Sequence, residues 1–113
     1  MDNCLFCDII SGKIPSTKVY EDEEILAFKD INPMAPVHIL IIPKNHIDGA
    51  DKLNDDNSAI VSKIFSVAAR LAEEYHLDKG FRIVTNSGDD GGQTVRHLHF
   101  HLLGGAKLNT TLC

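Results

Sequence analysis

The 113-residue sequence contains no tryptophan, few aromatic residues (6%) and no apolar run long enough to span a membrane. Its 11 Lys and Arg residues are outnumbered by 16 Asp and Glu, which gives a formal net charge of -5. This balance argues against nucleic-acid binding, because such surfaces neutralise many phosphates with clustered basic side chains. Asp2 and Asn3 stand where a signal peptide would carry basic and then apolar residues. We therefore expect a cytoplasmic protein that binds neither nucleic acid nor membrane.

Cysteine is also scarce, since the chain has three, an odd number that provides no disulfide framework. Cys4 and Cys7 form a Cys-x-x-Cys pair, which we interpret as thiols or metal ligands. A thioredoxin-like redox pair would follow a strand and open a long helix, whereas this pair lies at the N-terminus. Cys7 as a small, buried apolar residue is the simpler alternative. Cys113, the last residue, is expected to be a free thiol at a frayed end.

The length of the chain fits one domain, residues 1–113, with a modest core. Apolar periodicity and turn residues predict a short helix over 5–11, two strands around an acidic turn in KVYEDEEILAFKDI, a buried strand over 38–43, a long helix, and strands over 81–86 and 95–103. Strands, then a helix, then strands without regular βα alternation indicate an α+β fold. We expect the long helix to pack on one face of a mostly antiparallel sheet.

The ends of the two predicted helices are marked by particular residues. Gly12 and Pro15 end the short helix. The long helix is expected to begin at Asn54 or Asp55, with Asn54 as its N-cap, and Gly80 lies just beyond its end. Its apolar stripe, at spacings of three and four, consists of Ile60, Val61, Ile64, Phe65, Ala68, Leu71, Ala72 and Tyr75.

Three histidines alternate with apolar residues in HLHFHLL, at His97, His99 and His101. In an extended strand, alternate side chains point to opposite faces, so the histidines share one face and the apolar residues pack on the other. Three interpretations are open: hydrogen-bonded structural histidines, metal ligands, or a central nucleophile with supporting neighbours.

The segment NSGDDGGQT, residues 86–94, precedes the histidines. Its glycines permit close approach of the backbone to a ligand, and exposed amide groups in such a loop form a nest for an anion. A plain turn is the alternative. Beside the histidines and the hydroxyl of Thr94, the loop is a candidate phosphate cradle.

The segments GGQTVRHLHFHLL and DINPMAPVHILIIPKNHI resemble the histidine triad (HIT) superfamily of nucleotide hydrolases and transferases, and in particular its Hint branch. The resemblance runs from CLFCDIISGKIPS to Gly105. It implies a HIT-like α+β fold with a mostly antiparallel five-stranded sheet, one long helix and a short N-terminal helix. It also implies a homodimer that hydrolyses purine nucleoside 5'-phosphoramidates through a nucleotidyl-histidine intermediate, without a catalytic cofactor.

The resemblance also implies a role for each residue that matches the catalytic motif. His99 would be the nucleophile, and His101 would contact the phosphate or the bridging atom. Thr94 takes the place of the serine that Hint proteins usually carry near the leaving group. His97 would complete the triad, with His38 as a supporting fourth histidine.

Nucleotide binding is assigned in the same way. Asn86 and the backbone of Gly92 and Val95 would hold phosphate, and Asp30 would hold the ribose hydroxyls. The apolar base pocket would consist of Leu5, Phe6, Ile9, Phe28 and Ile31. Considered without the resemblance, Phe28 and Ile31 are equally suited to the core, and Asp30 to capping a turn before Pro33.

Some members of the superfamily carry the N-terminal cysteine pair and bind zinc with two further histidines. The matching positions here are His46 and His97, which with Cys4 and Cys7 make a Cys2His2 set suited to a closed structural zinc site. A zinc-bound His97 would be structural and would not carry a proton.

The sequence departs from the Hint pattern at Arg96, which replaces an aromatic residue, and in the tryptophan-free tail AKLNTTLC. The local sequence QTVRH is similar to that of dinucleoside polyphosphate hydrolases, so hydrolysis of such compounds is an alternative function. A non-catalytic nucleotide-binding adaptor is another. If strand alternation holds, Arg96 points away from the histidines.

Overall fold

The computed structural model describes residues 4–111, so the interpretation of Asp2, Asn3 and Cys113 lies outside the described residues. The elements of this part of the chain are α1 (Leu5–Ser11), β1 (Lys18–Glu21), β2 (Ile25–Lys29), β3 (Val37–Pro43), a 3-10 turn (Ala50–Lys52), α2 (Ala59–Glu74), β4 (Phe81–Val84) and β5 (Phe100–Gly104). The five strands form one antiparallel sheet in the order β1-β2-β3-β5-β4. The predicted α+β class is confirmed, and no helix of residues 4–111 is long and apolar enough to cross a membrane.

The sheet has a core on each face. Alternate residues of β2 and β3 point to α2 on one side and to α1 on the other, which explains why HILIIP is apolar almost throughout. The core beneath α2 includes Ile25, Ala27, Ile39, Ile41, Ile64, Ala68, Leu71, Leu98, Phe100 and Leu102. The core beneath α1 consists of Cys4, Phe6, Ile9, Leu26, Phe28, Leu40 and Ile42.

Helix α1 has the predicted limits. The thiol of Cys4 accepts a hydrogen bond from the N–H of Cys7 at 3.2 Å and so caps the first turn. Gly12, at φ 87°, ends the helix in the left-handed conformation that glycine adopts without strain.

The prediction for the start of α2 is wrong, because the helix begins at Ala59 and not at Asn54 or Asp55. The side chain of Asn54 accepts hydrogen bonds from the N–H groups of Asp56 and Asn57, and this holds residues 55–58 in a turn ahead of the helix. Asn54 therefore caps that turn instead of the helix.

The far end of α2 also differs from the prediction. The helix ends at Glu74, and His76 takes the left-handed conformation (φ 58°) expected of a C-terminal glycine. Gly80 closes the next turn, where its N–H donates to the carbonyl of Leu77 at 3.0 Å.

The histidine strand is shorter than predicted, since β5 begins at Phe100 and not at residue 95. Ile41 pairs with Phe100 in the β3–β5 register, which places Leu98 opposite Pro43. Proline has no N–H to donate, so the ladder stops there, and the N–H of Leu98 donates to the carbonyl of Ile47 at 2.6 Å.

Strand β4 is likewise shorter, ending at Val84 and not at Asn86. Beyond it, the hydroxyl of Thr85 donates to the carbonyl of His99 at 2.8 Å, where a backbone N–H would otherwise continue the ladder. The hydroxyl therefore replaces a ladder bond at the edge of the site.

Candidate functional site

The alternation of side chains survives although the strand is shorter. The apolar residues between and after the histidines belong to the core beneath α2, so the histidines occupy the opposite side. His97 is fully buried and His99 is 5% exposed, whereas His101 is half-buried. The segment thus packs on one side and carries imidazoles on the other.

His99 is held in one tautomer by the backbone. Its Nδ1 lies 2.6 Å from the carbonyl oxygen of His97. Because a carbonyl oxygen only accepts, Nδ1 carries the proton, and Nε2 keeps its lone pair in the neutral ring. Burial lowers the pKa of His99 from its ordinary value, which favours this neutral form at pH 7. The ring of Phe6 packs edge-on against His99, with centroids 5.0 Å apart.

A second chain of hydrogen bonds orients His101. The N–H of Met34 donates to Nδ1 of His38 at 3.1 Å, so His38 carries its proton on Nε2. That nitrogen lies 2.9 Å from Nδ1 of His101 and donates to it, which leaves a proton on Nε2 of His101. The His101 ring therefore presents a donor, whereas the His99 ring presents a lone pair.

Burial keeps this pair neutral. It lowers the pKa of His101 to about 4 and also lowers the pKa of His38. The Asp30 carboxylate, 3.5 Å from Nε2 of His38, opposes both shifts. The neutral rings of His38 and His101 thus lie near the Asp30 carboxylate, just after the end of β2.

Asp30, His99 and His101 border a cavity of about 370 Å³ between α1 and the loop before the histidines. Ten of the residues predicted from the sequence line it: Leu5, Phe6, Ile9, Phe28, Asp30, Ile31, Thr94, Val95, His99 and His101. Six lining residues were not predicted: Ile14, Pro15, Ser16, Lys29, Asn32 and Leu40. Leu40 was open to prediction, since on β3 it shares a face with His38.

Four predicted residues are not in the cavity wall. His38 stands behind His101, and His97 lies in the cysteine–histidine cluster described below. The side-chain amide of Asn86 donates to the carbonyl of Gly91 at 2.8 Å. The N–H of Gly92 donates to the carbonyl of Asp89 at 3.0 Å. Both of these groups bond within the glycine-rich loop.

The structure shows where the residues lie for which the sequence left a core or turn role open. Phe28 is 4% exposed and belongs to the core beneath α1 as well as to the cavity wall. Ile31 is 89% exposed and is not a core residue. Asp30 does cap a turn, because one carboxylate oxygen accepts from the N–H of Asn32 at 2.8 Å. Its other oxygen faces His38.

A cysteine–histidine cluster lies next to the cavity and consists of Cys4, Cys7, His46 and His97, with donor atoms within 4.8 Å of one another. Nδ1 of His97 is 3.4 Å from Sγ of Cys4 and 3.6 Å from Sγ of Cys7. Nδ1 of His46 is 3.5 Å and 3.4 Å from the same two atoms and 3.1 Å from Nδ1 of His97. Ordinary zinc–sulfur and zinc–nitrogen bonds give tetrahedral edges of roughly 3.3–3.8 Å. The four sulfur–nitrogen distances lie in this range and the nitrogen–nitrogen distance is slightly shorter, so the arrangement fits a zinc ion.

The outer hydrogen bonds of the cluster support the same interpretation. Nε2 of His97 donates to the carbonyl of Pro43 at 2.8 Å, and Nε2 of His46 donates to the Asp48 carboxylate at 2.7 Å. Both rings therefore turn an Nδ1 lone pair toward the thiols, as zinc-bound histidines do. Burial raises the pKa of Cys7 to about 11 and lowers that of His97 to about 4, so the site favours neutral ligands until a cation is present.

The fold and this site define a class of protein. The HIT domain family matches residues 11–108, and the chain belongs to that family. The structure is similar to a HIT family hydrolase from Clostridium thermocellum, at a TM-score of 0.97 and 48% identity, covering 100% of this chain and 99% of the other. A histidine triad nucleotide-binding protein from Candida albicans gives a TM-score of 0.80 at 36% identity, over 96% of this chain and 86% of the other.

One relative of the chain is named for zinc binding. The 14 kDa zinc-binding protein of Brassica juncea is 47% identical over 107 residues, or 93% of this chain and 95% of the Brassica protein. The predicted membership of the HIT superfamily is confirmed, whereas assignment to the Hint branch stays a prediction.

Proposed function

We propose that this HIT protein hydrolyses purine nucleoside 5'-phosphoramidates, such as those of adenosine, to the nucleoside monophosphate and an amine. The observation that supports this most directly is the pairing of two opposite tautomers in one cavity wall, a lone pair on His99 and a donor on His101. One group suits attack on phosphorus, and the other suits protonation of a leaving nitrogen.

In the proposed first step, Nε2 of His99 forms a bond to phosphorus as the phosphorus–nitrogen bond breaks. The anionic substrate brings one proton to the His38–His101 pair. The departing nitrogen then takes the Nε2 proton of His101, with the Thr94 hydroxyl beside it, and leaves as the amine, so that the pair returns to its neutral form and no imidazolate is formed. Water then attacks phosphorus, breaks the phosphorus–histidine bond and gives the monophosphate. One proton of this water returns to His101, and the buried His99 is again neutral.

The substrate would lie with its base in the apolar part of the cavity, against Phe6, Phe28 and the other apolar residues of the wall. Asp30 would accept hydrogen bonds from the ribose hydroxyls, as acidic residues do in other nucleotide sites. Of the loop residues proposed to hold the phosphate oxygens, Val95 lines the cavity, whereas Asn86 and Gly92 would first have to exchange their hydrogen bonds within the loop for bonds to phosphate.

The cysteine–histidine cluster would hold a structural zinc ion through two thiolates and two imidazoles. Zinc, when bound, would stabilise the thiolates and cross-link α1 to the segment that carries the histidines. In this proposal His97 orients His99 through its carbonyl group and transfers no proton.

We further propose a homodimer. Two large apolar side chains support it: Phe65, 46% exposed on α2, and Phe81, 45% exposed on the edge strand β4. Light scattering at micromolar concentration tests the proposal, since a monomeric mass would overturn it.

Hydrolysis of dinucleoside polyphosphates is the second candidate, favoured by the sequence QTVRH. Its basic residue, Arg96, is not in the cavity wall and binds Gln93 and Asp51 instead. We therefore expect a diadenosine polyphosphate to be cleaved more slowly than a phosphoramidate when the two rates are compared directly.

The first experiment is AMP release from adenosine 5'-phosphoramidate by the wild type and by His99→Ala, matched for folding. His76→Asn is the control, because His76 is exposed and asparagine tolerates its left-handed backbone. We expect a loss of at least about 10³-fold for His99→Ala alone. Absence of turnover by the wild type, with AMP binding seen by calorimetry, would overturn hydrolysis in favour of the nucleotide-binding adaptor.

A further inference from the structure

Arg96 has no part in the catalytic scheme above, yet it belongs to a connected group of four side chains. This group, here named the loop clamp, consists of Asp51, Ser87, Gln93 and Arg96. It joins the 3-10 turn after β3 to the glycine-rich loop that leads into the cavity wall. None of the four side chains of the loop clamp lines the substrate cavity.

Gln93 is the centre of the loop clamp and is 7% exposed. Its Nε2 donates to the carbonyls of Asp48 at 2.7 Å and Val95 at 3.0 Å. Its Oε1 accepts from the N–H of Gly88 at 2.9 Å and from Arg96 at 2.5 Å. All four hydrogen-bonding positions of the amide are used, so the side chain has one orientation, which fixes both ends of the loop.

Arg96 connects this amide to a carboxylate. One guanidinium nitrogen binds Gln93, and the other lies 3.5 Å from Oδ1 of Asp51. The same Asp51 oxygen accepts from the hydroxyl of Ser87 at 3.1 Å. A Cβ on Gly49 would lie within 2.9–3.2 Å of the polar ends of Asp51, Gln93 and Arg96, so glycine is what lets the turn pack this closely.

The residues that the loop clamp positions are Thr94 and Val95, which follow Gln93 and line the cavity. The carbonyl of Val95 accepts from Gln93 and also from the N–H of His97 at 2.9 Å. The amide of Gln93 therefore sets where the wall stands relative to the histidines. Arg96 in turn donates a hydrogen bond to that amide.

We propose that Arg96 is a positioning residue for the leaving-group side of the reaction, and that it acts through Gln93 on Thr94. This inference rests on the proposed function, in which the Thr94 hydroxyl lies beside the departing nitrogen. Removing the guanidinium frees one side of the Gln93 amide and leaves Asp51 with Ser87 alone. The wall then samples positions in which the hydroxyl no longer meets the leaving group, whereas the apolar pocket for the base is unchanged.

The test compares Arg96→Ala, Arg96→Lys and the wild type on two adenosine phosphoramidates, one with a weakly basic and one with a strongly basic amine. Arg70→Ala is the matched control, since Arg70 is an exposed arginine that stacks on Tyr20, 5.5 Å from the ring centroid, away from the site. We expect Arg96→Ala to lower kcat about 10-fold or more, and further for the strongly basic amine. The dissociation constant for AMP should change less than about 3-fold, and Arg96→Lys should recover part of kcat.

Three results would overturn the inference: a loss no greater than that of Arg70→Ala, an equal loss for both amines, or a loss seen mainly as weaker AMP binding. Failure of the proposed function is recognised separately, because the wild type itself would then release no AMP. Amide exchange at Gly88 gives a readout independent of turnover, and Arg96→Ala should raise its rate. Unchanged exchange at Gly88 would contradict the role of Arg96 in holding Gln93.

Discussion

Nδ1 of His99 lies 2.6 Å from the main-chain oxygen of His97, whose own ring belongs to the cysteine–histidine cluster. The imidazole that faces the cavity is thus oriented by the backbone of a cluster residue. Helix α1 makes a second connection, because Phe6, between Cys4 and Cys7 in the sequence, packs against the His99 ring. His99 is therefore connected to the cluster both through the main chain and through α1.

We predict that the purified protein contains about one zinc ion per chain and that Cys7→Ser loses it. Losing a structural ion removes a few kcal/mol of stability, which lowers Tm by about 10 °C in a domain of this size. Elemental analysis and thermal unfolding of chelator-free protein measure both effects. Cys113→Ser is the control thiol and should keep the metal. Well under one zinc per wild-type chain would contradict the prediction.

We predict that His38 supports catalysis through the proton that it donates to His101. His38→Leu removes this donor and should lower kcat about 10–100-fold, while the dissociation constant for AMP changes little. His38→Gln keeps an N–H donor and should lose less. Steady-state kinetics measure kcat, and calorimetry measures the dissociation constant for AMP. An equal loss of kcat in the two variants would argue against this role.

Folding stability should fall as the pH decreases from about 6.5 toward 4. Burial lowers the pKa of His101 from 6.5 to about 4 in the folded protein, so between these values the unfolded chain binds more protons and gains stability relative to the folded state. Because His101 is partly exposed, we expect its share of the loss to be on the order of 1–2 kcal/mol. Urea unfolding at pH 7 and pH 4.5 should show a smaller difference for His101→Asn than for the wild type.

Asp30 should discriminate ribose from deoxyribose. A hydrogen bond to a charged group is worth about 1.5–3 kcal/mol, so we expect the wild type to bind AMP about 10-fold or more tightly than 2'-deoxy-AMP. Asp30→Asn should reduce this preference while its side-chain oxygen still accepts from the N–H of Asn32. Calorimetric titration of both nucleotides with both proteins measures the ratio. An undiminished preference in the variant would place the ribose elsewhere.

Side-chain periodicity made much of the fold predictable. The alternation in HLHFHLL was correct about which side chains pack, and Ile64, Ala68 and Leu71 of the predicted stripe do lie on the sheet. Phe65, which was predicted in the same stripe, is 46% exposed. The errors in the predicted limits lie at the ends of helices and strands, where a single side chain or a proline determines the end of the element. Asn54 forms a turn ahead of α2, and Pro43 ends the pairing that would have extended β5. Such local competition leaves no periodic signal.

The candidate site was predictable where a motif carried it and not where the cavity wall comes from separate segments. Asp30, Thr94 and His99 lie in recognisable stretches of sequence. Nothing in the sequence marks Ser16 or Lys29 as wall residues, and they reach the wall because the fold brings them there. The loop clamp was not predicted, since no motif in the sequence links Asp51 to Arg96, 45 positions away.

By itself, the sequence determined the residue types and their spacing: three histidines on alternate positions, a Cys-x-x-Cys pair, and apolar stripes that required two packed faces. Only the tertiary structure decided which proton each imidazole carries, because that depends on the carbonyl, amide or ring nitrogen that it meets. It also brought Cys4 to His97, 93 positions away, by folding α1 against the sheet. The residue types follow from the sequence, whereas their division into a ring with a free lone pair, a ring that donates and a ring in the cysteine–histidine cluster follows from packing.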